Sequence, residues 1–167
     1  MKVHIGKYPK DSSKERKISV RIDKWDTWSM DNTLAHIVFP MLKQLRDTKH
    51  GAPFTDDEDV PEHLRTSAAP PTKNEWDTDD NHFKRWDWIL DEMIFAFESK
   101  LTDWDEQFWT VKPELDFDEH PEDEGKDVTP VRWKKIGECD WEARDAYQAR
   151  ITNGFRLFGK YYEHLWD

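Results

Sequence analysis

Apolar and polar residues alternate with two different periods along this chain. Residues 2–6 (KVHIG) and 17–22 (KISVRI) alternate at every second position and contain β-branched side chains, a pattern typical of short strands. The polar stretch between them, YPKDSSKERK, predicts a connecting loop. We therefore expect a small β-element within residues 1–24.

A helical period replaces this alternation at residue 29. Residues 29–49 carry one apolar stripe at spacings of three and four, made of Leu34, Ile37, Val38, Met41, Leu42 and Leu45. Ser29 or Asp31 can cap this helix, and Gly51 can end it. Pro40 falls inside the stripe, so we expect a kink or a break there, because proline removes a backbone donor and clashes with the preceding turn.

Two further segments have the helical period. Residues 80–101, capped by Asp79 or Asp80, are predicted to bury Trp86, Ile89, Leu90, Met93, Ile94 and Phe97. Residues 140–165 carry an apolar stripe of Trp141, Tyr147, Ile151, Phe155, Phe158, Tyr162 and Leu165. Gly154 and Gly159 weaken this last helix, and such glycines often allow another element to approach closely.

The remaining segments predict loops. Residues 51–75 contain four prolines, and we expect at most one short helical turn there, near residues 61–65. Residues 102–127 are acidic and are expected to be mostly irregular, followed by a short strand within residues 128–136. Together these elements predict one domain over residues 1–167, of predominantly α, α+β class, with three main helices, a small N-terminal β-element and long acidic loops.

Composition changes this picture in one respect. A net charge of −11 and a hydrophobic fraction of 36% lean toward disorder. The chain also has 10 Trp, 9 Phe and 4 Tyr, whose large apolar area predicts a small aromatic core inside a charged shell. The negative charge disfavours direct binding to nucleic acid or to anionic membranes, and it permits binding to basic proteins or mimicry of DNA.

The charge is distributed unevenly. Residues 2–24 contain eight Lys/Arg and three Asp/Glu, whereas residues 101–125 contain ten Asp/Glu and only Lys112 as a base. The basic segment is expected to pack against the acidic one, or against another copy of the protein, so a homo-oligomer is possible. The single Cys139 excludes an intrachain disulfide and is typical of a reducing cytoplasm. The segment MKVHIGKYPK has no apolar h-region and the chain has no apolar run of bilayer length, so we expect neither a signal peptide nor a membrane span.

Four long segments resemble a known group of proteins. They are RIDKWDTWSMDNTLAHIVFPMLKQLRDTKHG (21–51), DDEDVPEHLR (56–65), NEWDTDDNHFKRWDWILDEMIFAFESK (74–100) and RITNGFRLFGKYYEHLWD (150–167). These segments resemble a widespread family of proteins encoded by tailed bacteriophages, and they cover about half of the chain. The resemblance implies a protein made in the cytoplasm of an infected bacterium, and it implies no particular chemistry. Relatives of this type often have an extra helical segment before the RIDKWDTWSMD block, which this chain lacks.

Carboxylates on the second predicted helix are the candidate metal ligands. Asp91 and Glu98 are seven residues apart and share a face, Glu92 is offset by about 100°, and His82 lies near the helix start. These four residues are one hypothesis for a divalent metal site, although the same carboxylates can form a solvated or salt-bridged polar face.

Aromatic residues before the helices are the candidate binding groups. Trp25 and Trp28 precede the first helix, and Trp76 precedes the second. Helix N-termini offer free N–H groups to anions, and an adjacent indole can stack a nucleobase, with Arg21, Lys24 and Lys73 nearby as phosphate partners. The alternative interpretation is that these tryptophans attach the helix starts to the core.

Several functions are compatible with these patterns. The chain has no Gly-rich phosphate loop, CxxC, Gly-x-Ser-x-Gly or HExxH motif, which favours binding over catalysis. The first hypothesis is a phage accessory protein that binds a host or defence protein without catalysis. The alternatives are a trap for a nucleotide-type ligand, a metal-dependent hydrolase, and a minor virion component.

Overall fold

The computed structural model describes residues 1–74, 76–118, 120–125, 127 and 130–166. Three helices dominate it: α1 (Met30–Thr48), α2 (His82–Ser99) and α3 (Trp141–Lys160). Six short strands accompany them within these described residues. The predicted class, α+β and mainly α with an N-terminal β-element, is therefore confirmed. No helix in the described part of the chain is long and apolar enough to cross a membrane.

Helix α2 is the centre of the fold and packs against both other helices. Helix α1 runs antiparallel to it, because Asn32 near the start of α1 donates to the carbonyl of Lys100 and Arg46 near its end contacts Asp91. Helix α3 is also antiparallel, since Trp86 contacts Tyr161 while Phe95 contacts Tyr147. The buried core consists mainly of Trp86, Ile89, Leu90, Met93, Phe97, Leu42, Ile151, Leu157 and Tyr161.

Burial extends around more of α2 than its apolar stripe. Arg85, Glu92 and Ser99, each seven residues apart, are also buried and share one face. Gly154 of α3 lies on this helix so closely that an added Cβ would collide with the carbonyl of Glu92 and would be 2.6 Å from Cβ of Ala96. The predicted close approach at a glycine is thus confirmed for Gly154, whereas Gly159 faces open space.

The strands form three separate two-stranded antiparallel ladders. Strand β1 (Lys2–Ile5) pairs with β2 (Ile18–Arg21) in the register Val3–Val20 and Ile5–Ile18. Strand β3 (Trp109–Val111) pairs with β6 (Glu138–Cys139). Strand β4 (Glu114–Asp116) pairs with β5 (Arg132–Lys135), and Leu115 is opposite Trp133.

Helix α1 differs from its prediction in two ways. It continues through Pro40 without a break. Proline has no N–H, so the carbonyl of His36 loses its helical hydrogen bond. Both residues are on the exposed side of the helix, where water can donate to that carbonyl. The buried stripe is rotated by one residue. Ala35 and Leu42 are buried and the predicted Leu34 and Met41 are exposed, because the position of α2 decides which side of α1 is covered.

The predicted loops contain more structure than expected. Residues 51–75 include three short 3₁₀ turns, at Asp57–Asp59, Glu62–Leu64 and Thr66–Ala68, where one was predicted. The expectation of a mostly irregular 102–127 segment is wrong, since it contains the turn Trp104–Phe108 and strands β3 and β4. Residues 119 and 126 of that segment, and residues 128 and 129 of the predicted strand, are outside the described residues.

The ends of the later helices also differ from the prediction. Helix α2 begins after Asn81, because Asp79 accepts hydrogen bonds from Asn81 and Arg85 within the preceding turn. Helix α3 ends at Lys160, and a separate turn follows at Tyr162–His164. Trp141 and Tyr162, predicted to be part of its apolar stripe, are exposed, whereas Leu157 and Tyr161 are buried instead.

Candidate binding sites

Two indole rings face solvent directly before α1. Trp25 and Trp28 are 63% and 82% exposed, their ring centroids are 6.1 Å apart, and the backbone N–H of Trp28 donates to the carbonyl of Trp25. Met30 and Leu34 follow on the first turns of α1 and are also exposed. We call these four side chains the tryptophan surface. Their exposure contradicts the interpretation that the tryptophans attach the helix start to the core.

Positive groups lie on the segment that leads to the tryptophan surface. The Lys24 ammonium lies 4.7 Å from the ring centroid of Trp25, which is within the range of a cation–π contact. Arg21 ends β2 and lines a shallow cavity of about 280 Å³ with Met1, Lys2 and Asp23. Four of the six predicted binding residues therefore lie at this end of the molecule.

Trp76 and Lys73 belong to the other end. Since α1 and α2 are antiparallel, the start of α1 lies beside the end of α2, and the 18 residues of α2 extend for about 27 Å. Trp76 is 92% exposed and lies in the segment that precedes α2. The structure thus divides the predicted ligand-binding set into two groups, Arg21, Lys24, Trp25 and Trp28 in one and Lys73 and Trp76 in the other.

A cavity of about 570 Å³ opens beside the start of α2, and we call it the α2 cavity. Its lining consists of Phe54, Thr55, Thr66, Ser67, Ala69, Pro70, Pro71, Thr72, Asp77, Thr78, Asp79, His82 and Arg85. Because Thr72 and Asp77 line it, Lys73 and Trp76 are within the segment that borders it. Residues 54–72, which fold beside the helix start, provide most of this lining.

A buried ion pair forms the inner wall of the α2 cavity. Arg85 donates to both oxygens of Asp79, at 3.0 and 2.7 Å, and to the carbonyl of Leu64. The hydrogen bonds from Arg85 hold the pKa of Asp79 below its usual value. The charge of Arg85 is therefore balanced within the protein. The other polar groups of the lining include the carboxylate of Asp77 and the hydroxyls of Thr55, Thr66, Ser67, Thr72 and Thr78.

Aromatic rings border the same cavity. His82 Nε2 lies 3.0 Å from the carbonyl oxygen of Ala52, and Phe54 contacts the His82 ring edge-on at 5.3 Å. Sequence patterns did not single out Phe54 or Arg85 as site residues. Phe54 is in a loop without periodicity, and Arg85 has the ordinary appearance of a charged helical residue.

The predicted metal ligands do not come together. Asp91 is exposed and paired with Arg46 at 2.8 Å, whereas Glu92 is buried and accepts from Arg150 at 2.7 Å. Glu98 is exposed, and His82 is ten residues before Glu92, which is about 15 Å along the helix. Among the described residues no three His, Cys, Asp or Glu side chains are grouped to hold a metal ion. The structure therefore corrects the predicted metal site, since the four side chains are separated and two of them form salt bridges.

One acidic cluster attaches the 51–75 loop to α3. The side chain of Asp59 is almost fully buried and accepts from Arg156, Lys160 and Tyr161 at 2.6, 2.6 and 2.7 Å. Burial alone raises the pKa of Asp59, but these three hydrogen bonds outweigh it and keep the pKa below its usual value. Burial is also the main reason that the pKa of Tyr161 is raised to about 12. The acidic loop is thus structural at this point.

Comparisons with protein-family models, curated proteins and solved structures find no match to this chain. Functional interpretation consequently rests on the geometry of the tryptophan surface and the α2 cavity.

Proposed function

We propose that this protein acts by binding another protein through the tryptophan surface. The observation that carries the proposal is the exposure of Trp25 and Trp28 as a contacting pair at a helix start. Tryptophan is among the residues most enriched at energetic centres of interfaces, because a large ring loses much water contact on binding and little conformational entropy. Exposed Met30 and Leu34 extend the apolar area around the pair.

The surroundings of the pair favour a protein partner with acidic or polar groups at this contact. Lys24 contacts the Trp25 ring, while the chain as a whole has a net charge of −11. Local positive charge beside an aromatic anchor orients a partner, whereas the overall charge disfavours a polyanion such as nucleic acid. On the phage resemblance, the partner is a host or defence protein in the infected cell.

The test compares tryptophans at the two ends of the molecule. The double variant Trp25→Ala/Trp28→Ala and the control Trp76→Ala each remove exposed indoles, so folding should be preserved in both. Each immobilised protein would be exposed to lysate of infected bacteria, and bound proteins quantified by mass spectrometry. We expect wild type and Trp76→Ala to capture the same partner. The double variant should capture at least about tenfold less of it. Equal capture by all three proteins would contradict the proposal.

A second candidate function is the binding of a nucleotide-type small ligand in the α2 cavity. The cavity volume of about 570 Å³ is within the usual range for ligand sites, and Lys73 and Trp76 lie in the segment that borders it. Lys73 would contact a phosphate and Trp76 a base, while the hydroxyl-rich wall would bind polar groups of the ligand.

The same tryptophan variants distinguish this second candidate, with their roles reversed. Titration with a panel of nucleotides should change the tryptophan fluorescence of wild type and of Trp25→Ala/Trp28→Ala. Trp76→Ala should lose the signal and bind at least about tenfold more weakly by calorimetry. If no nucleotide releases heat or changes fluorescence with wild type, the second candidate is wrong.

A further inference from the structure

The β1–β2 hairpin has an apolar face that stays exposed among the described residues. Directly opposed residues of an antiparallel pair lie on the same face, so the register places Val3, Ile5, Ile18 and Val20 together. These four side chains are apolar and 41%, 47%, 63% and 55% exposed, and we call them the basic hairpin face after the net positive charge of the segment that carries them. The opposite face carries Lys2, His4, Ser19 and Arg21. Two-stranded hairpins are marginal alone, so an uncovered apolar face favours a partner.

The β4–β5 ladder has a similar apolar face. Leu115 and Trp133 are opposed and therefore share one face, and they are 38% and 54% exposed. Phe117, immediately after β4, and Val131, immediately before β5, are also exposed. We call Leu115 and Trp133 the acidic ladder face.

The two ladders lie in segments of opposite charge. Residues 2–24 contain eight basic and three acidic residues, a net charge of +5. Residues 101–139 contain five basic and twelve acidic residues, a net charge of −7. The bases of β5 are partly neutralised within the ladder, since Arg132 pairs with Asp123 and Lys134 lies 3.9 Å from Asp118.

We propose that the basic hairpin face of one copy of this protein packs on the acidic ladder face of a second copy. Both faces are apolar and exposed in the single chain, and the segments that carry them have opposite net charges, which favours the pairing of unlike faces over like ones. Such an interface is heterologous, because different surfaces meet. Each copy keeps one free face of each kind, so association continues until a ring closes or a filament forms.

The first experiment measures self-association of the purified full chain by sedimentation velocity over a wide concentration range. Wild type should form species larger than a dimer. Val20→Asp places a charge on the basic hairpin face, whereas the control Ser19→Asp places the same charge on the opposite face of the same strand. Similarly, Leu115→Lys places a positive charge on the acidic ladder face. The control Glu114→Gln also raises the net charge by one unit, but at the residue before Leu115.

Val20→Asp and Leu115→Lys should each weaken association at least about tenfold, and the two controls should associate like wild type. Circular dichroism checks folding, and we expect unchanged helix content because all four positions are exposed and outside the helices. An association constant that is unchanged in both face variants would contradict the proposal.

Mixing the two face variants identifies which surfaces meet. Val20→Asp retains an intact acidic ladder face, and Leu115→Lys retains an intact basic hairpin face. The proposal predicts that each alone is monomeric and that an equimolar mixture forms a one-to-one dimer that grows no further. If Leu115→Lys alone forms dimers, two hairpin faces pair with each other. If wild type is monomeric, these faces do not bind a second copy of the protein. Either result would overturn the proposal, and neither affects the lysate test of the tryptophan surface.

Discussion

The helical core buries the same residue types that the ladders and the segments before the helices expose to solvent. Trp86 on α2 has no exposed surface, whereas Trp28, Trp76 and Trp133 are more than half exposed. Val and Ile residues show the same difference, since Ile89 and Ile151 are buried while every residue of β1 and β2 is exposed. The comparison indicates that α1, α2 and α3 supply most of the buried core, and that the β1–β2 hairpin, the β4–β5 ladder and the tryptophan surface are available for binding.

The largest predicted effect comes from removing one tryptophan side chain from each region. Trp86→Ala should lower the free energy of unfolding by about 3–5 kcal/mol, because it leaves a large cavity in the core, whereas Trp28→Ala should change it by less than about 0.5 kcal/mol. The indole N–H of Trp86 is buried without a hydrogen-bond partner among the described residues, so Trp86→Phe should cost much less than Trp86→Ala. Urea unfolding of the three variants measures this, and equal losses for Trp86→Ala and Trp28→Ala would refute the division.

A smaller effect should appear where the 51–75 loop is attached to the core. Asp59→Asn removes the buried charge that accepts from Arg156, Lys160 and Tyr161, and should cost about 2–3 kcal/mol at neutral pH. Because the folded pKa of Asp59 is below its unfolded value, this stabilisation is present above an unfolded pKa of about 3.9 and is lost as the pH falls through the folded pKa.

The difference in stability between wild type and Asp59→Asn should therefore shrink below about pH 4. Unfolding curves at pH 7, 5 and 3 would measure it, with the exposed Asp118→Asn as the matched control. A difference that is independent of pH would mean that the Asp59 charge is not what stabilises the contact.

The smallest effects compare two glycines of one helix. Gly154→Ala should destabilise by about 1–3 kcal/mol, because the new Cβ meets the backbone of α2 at Glu92. Gly159→Ala meets no atom within 4 Å and should stabilise by up to about 1 kcal/mol through its higher helix propensity. Thermal melts of both variants test the opposite signs, and stabilisation by both would show that α2 and α3 are not closely packed at Gly154.

The candidate sites could be predicted from the sequence only in part. Trp25, Trp28 and Trp76 stand out because indoles beside charged residues before a helix are easily recognised. Their division between two ends of the molecule could not be seen, since it depends on the antiparallel packing of α1 and α2. The predicted metal ligands failed for a related reason, because salt bridges to Arg46 and Arg150 come from other helices.

The sequence by itself determined the helices, the N-terminal hairpin and most of the apolar residues that α2 buries. These features follow from local periodicity, which is the same whatever the chain later contacts. Only the tertiary structure decided which side of α1 is covered, that Glu92 and Asp59 are buried with cationic partners, and that residues 54–72 line a cavity beside His82. The physical reason is that burial and ion pairing depend on distances between segments far apart in the chain, and packing alone sets those distances.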